Sequence, residues 1–291
     1  MIRQLLFDPY QLGFMRRALL EVLLLAVLGG VVGVHVLLRR LTFLTEALQH
    51  TVFPGIAVAF ATGQSLLLGA VVAAAATIVL LAILTNRLRV DQEAALAVLL
   101  STFFALGVVI VSRRTGYTAD LNQLLFGRIL DVDRRQVIET ALIASVVLVI
   151  VALAHRQLVI VAFDRAHAET LGYRVIVLDL LLNAAVACMV VVAVRAVGTV
   201  LMVAFVVTPA ASARLLGRSV VSTMAIAVVL AGLLGWVGLS ASFDASVNRG
   251  LRLASGATVV AAYTVGFCLI GAGRHLARRL GSRRHLVEAA P

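Results

Sequence analysis

Long, unbroken apolar runs constrain this chain more than any other feature. Runs of about 20 apolar residues, enough to cross a hydrocarbon core, lie at 18–38, 44–62, 65–85, 94–112, 136–154, 174–194, 197–215, 219–239 and 255–273. They are continuous rather than alternating, which selects membrane helices over barrel strands. Composition agrees: 62% of the residues are hydrophobic, 13% are charged and the mean hydropathy is +1.07. A globular domain has about half apolar and about a quarter charged residues. The expected fold is an all-α polytopic membrane protein, a single domain over 1–291 with about nine transmembrane helices. Eight is the alternative count, because 44–62 starts polar and 174–215 also reads as one span plus a re-entrant piece. The N-terminal stretch MIRQLLFDPYQLGFMRR carries an acid and a proline where a cleavable leader needs an apolar core.

The net charge of +11 comes from arginine alone, since the chain has no lysine. Arginines flanking membrane helices meet lipid headgroups and phosphates. A nucleic-acid surface is the competing reading, and no folded soluble domain is present to carry one, so no nucleic-acid partner is expected. A phosphate-binding loop of the form G-x-x-x-x-G-K-[ST] needs its lysine. If ATP drives this protein, another subunit must hydrolyse it. Cys188 and Cys268 fall in apolar runs without C-x-x-C spacing and read as packing residues.

Two connections are long. Residues 113–134 form a polar linker with a small apolar island at Leu124–Phe126. The stretch HRQLVIVAFDRAHAETLGY, 155–173, reads as a short amphipathic helix, capped by Asp164 and ended by Gly172 in a left-handed conformation. Arginine counting over the loops does not orient the chain. The arginine-rich tail, 274–291, favours a cytoplasmic C-terminus.

Ionisable residues in the apolar segments are few: Glu21, His35, Glu46, His50, Glu139, Asp179 and Arg195. Each costs about 2.5–3.5 kcal/mol at a span centre, so each needs a pairing or a function. Glu21, Glu139 and Arg195 lie near span ends and can meet headgroups. Asp179 lies near a helix start, where a carboxylate suits the dipole. His35 reads as interfacial. Glu46 and His50 differ, because four residues apart they share one helical face. Pro54 then removes a backbone donor, and Gly55 permits close approach of another backbone. Carboxylate oxygen plus imidazole nitrogen suits a first-row cation such as Zn²⁺ or Mn²⁺. Two ligands are too few for a structural site but suit an ion that must leave, and a second copy would double them. The alternative is a plain interfacial hydrogen-bonded pair. Ion binding should strengthen as rising pH strips the proton from imidazole.

The stretch LRRLTFLTEALQHTVFPGIAVAF resembles the opening motif of the permease subunits of zinc/manganese/iron-type ABC importers, roughly R-R-x-S-x-x-x-D-A-x-x-H-x-x-x-P-G. The resemblance continues through DQEAALAVLLSTFFALG at 91–107, LLFGRIL at 124–130, FDRAHAETLG at 163–172, VGTVLMVAFVVTPAASARLL at 197–216, GLSASFD at 238–244 and SGATVV at 255–260. It implies a type II ABC importer-like permease in a bacterial cytoplasmic (inner) membrane, multi-pass, with its C-terminus in the cytoplasm. Two copies would form the path at their interface. Two cytoplasmic ATPase subunits would power it, and an extracytoplasmic metal-binding protein would deliver Mn, Zn or Fe. No cofactor would be held permanently. Glu46 and His50 match the family's acid/His pair, thought to hold the ion in transit. Residues 163–172 match the coupling helix that docks in the ATPase, with Phe163, Asp164, Ala168, Leu171 and Gly172 on the motif positions. Pro54, Gly55 and Pro209 match pore-lining or structural positions. Glu46 is one methylene longer than the family's usual Asp. The 243–256 loop is longer than the usual turn, so Asp244 is not carried over. An importer permease for a metal chelate and a proton-coupled secondary metal transporter are the alternatives.

Overall fold

The computed structural model describes residues 7–112, 129–247, 250 and 254–288. Among these there is no strand, and a 3-10 turn, Asp8–Gln11, precedes the first long helix. The helices are α1 Gly13–Leu38, α2 Thr42–Thr51, α3 Phe53–Thr62, α4 Leu66–Asn86, α5 Gln92–Ser112 and α6 Arg134–Phe163. They continue with α7 Arg165–Thr170, α8 Val175–Val197, α9 Thr199–Leu216, α10 Val220–Val247 and α11 Ser255–Glu288. Most of the expected 113–134 linker and the LLFG part of the 124–130 motif lie outside the described residues, as do parts of the 243–256 loop and the end of the tail.

Seven of the described helices are long and apolar enough to cross a membrane. They are α1, α4, α5, α6, α8, α10 and α11, and they match seven of the predicted spans. The predicted 44–62 span is instead two ten-residue helices, each about 15 Å long. Val52 joins them in a helical conformation, with Ile56 N–H donating to Val52 O at 3.2 Å. The ladder breaks beside it, because Pro54 has no N–H to give His50. The 174–215 region is two helices rather than one span plus a re-entrant piece. Gly198, at φ 87°, separates α8 from the 18-residue α9. The expected loop start at 155 is also revised: α6 runs unbroken to Phe163, since HRQLVIVAF contains no helix breaker.

Polar contacts define the two ends of the bundle. At one end Arg17 Nε donates to Val132 O at 3.0 Å, and Tyr10 Oη lies 2.8 Å from Ser240 Oγ. Ser242 Oγ donates to Ser255 Oγ there at 3.0 Å, so α11 starts at this end. At the other end Arg39, Arg165 and Asp179 meet, which sets the C-terminus of α1 beside α7 and the start of α8. The direction of α11 carries its C-terminal half toward this same end.

Helices approach closely where side chains are small, as membrane packing requires. A Cβ on Gly30 of α1 would lie 2.6 Å from Val228 Cγ2 of α10. From Ala185 to Val197 nearly every residue of α8 is buried. Glu21 and His35, read as interfacial from the sequence, are fully buried. Glu21 Oε1 accepts from Thr140 Oγ1 of α6 at 2.8 Å. Arg195 pairs with Glu139 Oε2 at 2.8 Å rather than with headgroups. His35 packs edge-on against His155 at 5.5 Å. Cys188 and Cys268 are exposed free thiols rather than buried packing groups. Thr140→Val should cost about 1–3 kcal/mol, because it strips Glu21 of its buried donor. The check is a lowered melting midpoint of the detergent-solubilised protein.

Candidate functional site

Helix α2 is amphipathic in an unusual sense. Leu44, Thr45, Ala47, Leu48, Gln49 and Thr51 are buried, whereas Glu46 and His50 are not. The His50 side chain is 26% exposed and the Glu46 side chain 41% exposed. His50 Nε2 stands 3.5 Å from Glu46 Oε1, so the pair forms on one face as the four-residue spacing demands. Phe104 of α5 lies edge-on to the His50 ring at 5.5 Å and Phe53 lies beside Phe104, which limits the ring's freedom. Helix α2 packs against α5, α8, α9, α4, α3 and α1, and among the described residues this face, which also carries the exposed Phe43, stays open.

Sequence reading missed Gln49. Its Nε2 lies 3.4 Å from His50 Nε2, and its Oε1 is buried without a partner. A polar residue on the buried side of an apolar helix was the signal available. Pro54 is buried at the start of α3 and Gly55 follows it. A Cβ on Gly55 would overlap the backbone carbonyl oxygen of Gly69 on α4, far inside van der Waals contact. That contact fixes α3, and through Val52 the end of α2 that bears His50. Pro209 is buried within α9, a helix that packs against α2, and its side chain offers no ligand atom. Among the described residues no group of three or more His, Cys, Asp or Glu side chains is placed to hold a metal ion. One copy therefore offers a carboxylate and an imidazole, an incomplete set for a first-row cation.

The second feature is α7. His167 N–H donates to Asp164 Oδ1 at 2.9 Å, so the aspartate caps this short helix. Gly172, at φ 81°, closes it, with Tyr173 N–H donating to Ala168 O at 3.1 Å. Ala168 is buried against Val161 and Val175, which holds α7 on the ends of α6 and α8. Phe163 is the last residue of α6 rather than part of α7, and its side chain is exposed, as is that of Leu171. Exposed apolar residues rimmed by charge mark a contact surface.

A model of the ABC 3 transport family matches residues 11–272. The chain belongs to that family. The manganese transport system membrane protein MntC of Listeria innocua is 30% identical over 257 residues, 88% of this chain and 89% of the relative. A probable iron transport system membrane protein of Haemophilus influenzae is 29% identical over 242 residues, 82% of this chain and 84% of the relative. Among solved structures, PsaBC from Streptococcus pneumoniae in complex with Fab is similar with a TM-score of 0.80 at 26% identity, covering 93% of this chain and 95% of that one.

Proposed function

We propose that the chain is the membrane-spanning permease subunit of an ATP-driven importer that moves a divalent transition metal ion into the cytoplasm. The observation that carries the reading is the Glu46–His50 pair, left open on one face of an otherwise buried helix. A second copy covers that face and brings a second carboxylate and imidazole, which raises the ligand count from two to four. Manganese(II) or iron(II) is the favoured cargo, in line with the printed names of the relatives. If the joined α2–α3 pair and the shorter α9 also cross, they make nine crossings with the seven long helices. The chain performs no bond chemistry. Lacking lysine, it relies on two partner subunits for ATP hydrolysis.

In this reading α7 is the coupling helix. Phe163 and Leu171 offer apolar anchors to the ATPase, and Ala168 keeps the helix seated on the bundle. The end of the bundle bearing α7 and the C-terminal tail faces the cytoplasm, and an extracytoplasmic binding protein delivers the ion at the opposite end. The test is manganese uptake by proteoliposomes holding the permease with its ATPase subunits. Uptake is expected only with ATP and the binding protein. Uptake driven by a proton gradient without ATP would overturn the reading.

A further inference from the structure

We infer that Asp179 is the joint that passes motion of α7 to the ion-binding helix α2; this rests on the importer reading above. Asp179 sits one turn into α8 and bridges two arginines from different elements. Oδ1 accepts from Arg39 Nη2, and Oδ2 pairs with Arg165 Nη1 at 2.9 Å. Arg165 opens α7 and also lies within 3.9 Å of Glu169, one turn further on. Arg39 follows the last residue of α1 and stands three positions before the first residue of α2.

The connection from Arg39 to Glu46 has little slack. Arg40 is left-handed at φ 55°, and Leu41 N–H donates to Val36 O at 2.8 Å, which locks the turn onto the end of α1. Thr45 N–H then donates to Leu41 O at 3.1 Å, so the helical ladder already reaches back to the turn. A displacement of Arg39 therefore rotates α2 and shifts Glu46 with it. Coupling between separated sites needs such a contiguous chain of contacts and an element that both sites bias.

The charges give the joint its strength. Both guanidinium groups converge on one carboxylate, Arg39 through Nη2, while Arg39 Nη1 is buried without a hydrogen-bond partner. Without the carboxylate the two cations face each other, and attraction becomes repulsion. The network also borders a cavity of about 420 Å³, lined in addition by Thr85, Asp91 and Asn183. That space lets the pairs part and re-form as α7 moves. As a positioning residue, Asp179 touches neither the ion nor the nucleotide.

The experiment uses the complete importer in proteoliposomes, with manganese uptake and ATP hydrolysis read from one preparation. Asp179→Asn should lower the ions moved per ATP by at least about fivefold, the low end of ordinary coupling between sites. Asp179→Glu, which keeps the charge, should restore most of the ratio. Arg165→Gln leaves the Arg39–Asp179 pair in place and should give the same drop if Asp179→Asn fails to assemble. An unchanged ratio in assembled Asp179→Asn or Arg165→Gln, with the unsubstituted importer active, overturns the joint alone. A merely structural ion pair would lower uptake and hydrolysis together and leave the ratio intact. Absence of ATP-dependent uptake by the unsubstituted importer would instead defeat the importer reading and the joint together.

Discussion

Glu46→Gln and His50→Ala should each lower ATP-dependent manganese uptake about a hundredfold in assembled importer. Both copies carry each substitution, so two of the four ligands are lost. A structural site that binds with about 10–16 kcal/mol gains about 3 kcal/mol per ligand, and a transit site with about half that binding free energy loses about 3 kcal/mol for the two, about a hundredfold in affinity. A transit site is weaker than a structural one, so the drop at saturating metal will be smaller than at trace metal. Both side chains are partly exposed, so neither substitution leaves a large cavity, although His50→Ala takes from the buried Gln49 Nε2 its contact with the imidazole. Assembly should survive, as size-exclusion chromatography with the partner subunits would show. Glu46→Asp keeps the oxygen donors and should retain most of the uptake. Normal accumulation in both loss-of-ligand variants would remove the site assignment.

Gly55→Val should abolish the folded permease, and Gly55→Ala should destabilise it by about 1–3 kcal/mol. The cause is backbone contact. Gly55 and Gly69 face each other so closely that a Cβ on either would overlap the carbonyl oxygen of the other. Backbone cannot move aside as a flexible side chain does, so α3 and α4 must separate. On the other side of α3, Gly107 of α5 packs against Phe53, so α3 has no room to shift that way either. Because Val52 joins α3 to α2, the separation would also displace His50 from Glu46. The measurement is yield and melting midpoint in detergent. Gly63→Ala serves as a contrast, since no atom lies within 4 Å of its Cβ position and only its φ of 70° is strained. Equal stability of Gly55→Ala and the unsubstituted protein would show that the α3–α4 contact is looser than described.

Much of the architecture was legible because lipid leaves few choices. An apolar run of about 20 residues must form a helix to satisfy its backbone, so seven spans could be read directly. The α7 motif was legible for a local reason: Asp164 and Gly172 act through their own backbone neighbours, which sequence order already supplies. What failed to show were contacts between elements far apart in the chain. Nothing in the neighbourhood of Asp179 announces Arg39 or Arg165, so a helix-dipole role looked sufficient. Glu21 and Arg195 looked able to reach headgroups because their distance from a span end is sequence information, whereas Thr140 and Glu139 as partners are not. The break at Val52 was half visible. Pro54 marked it, but hydrophobicity carried the run across it. At the site, the Glu46–His50 spacing was readable from helical periodicity. The inward-facing Gln49 was not, because its burial depends on neighbouring helices.

The central claim is that the open Glu46–His50 face receives the ion between two copies of the chain. Anomalous diffraction or electron microscopy of the assembled importer, trapped with manganese, tests it most directly. The account predicts one metal peak between the copies, within about 2.0–2.6 Å of the Glu46 carboxylate and the His50 ring nitrogen. A peak elsewhere, with Glu46 and His50 turned to lipid or sealed from the interface, would contradict it.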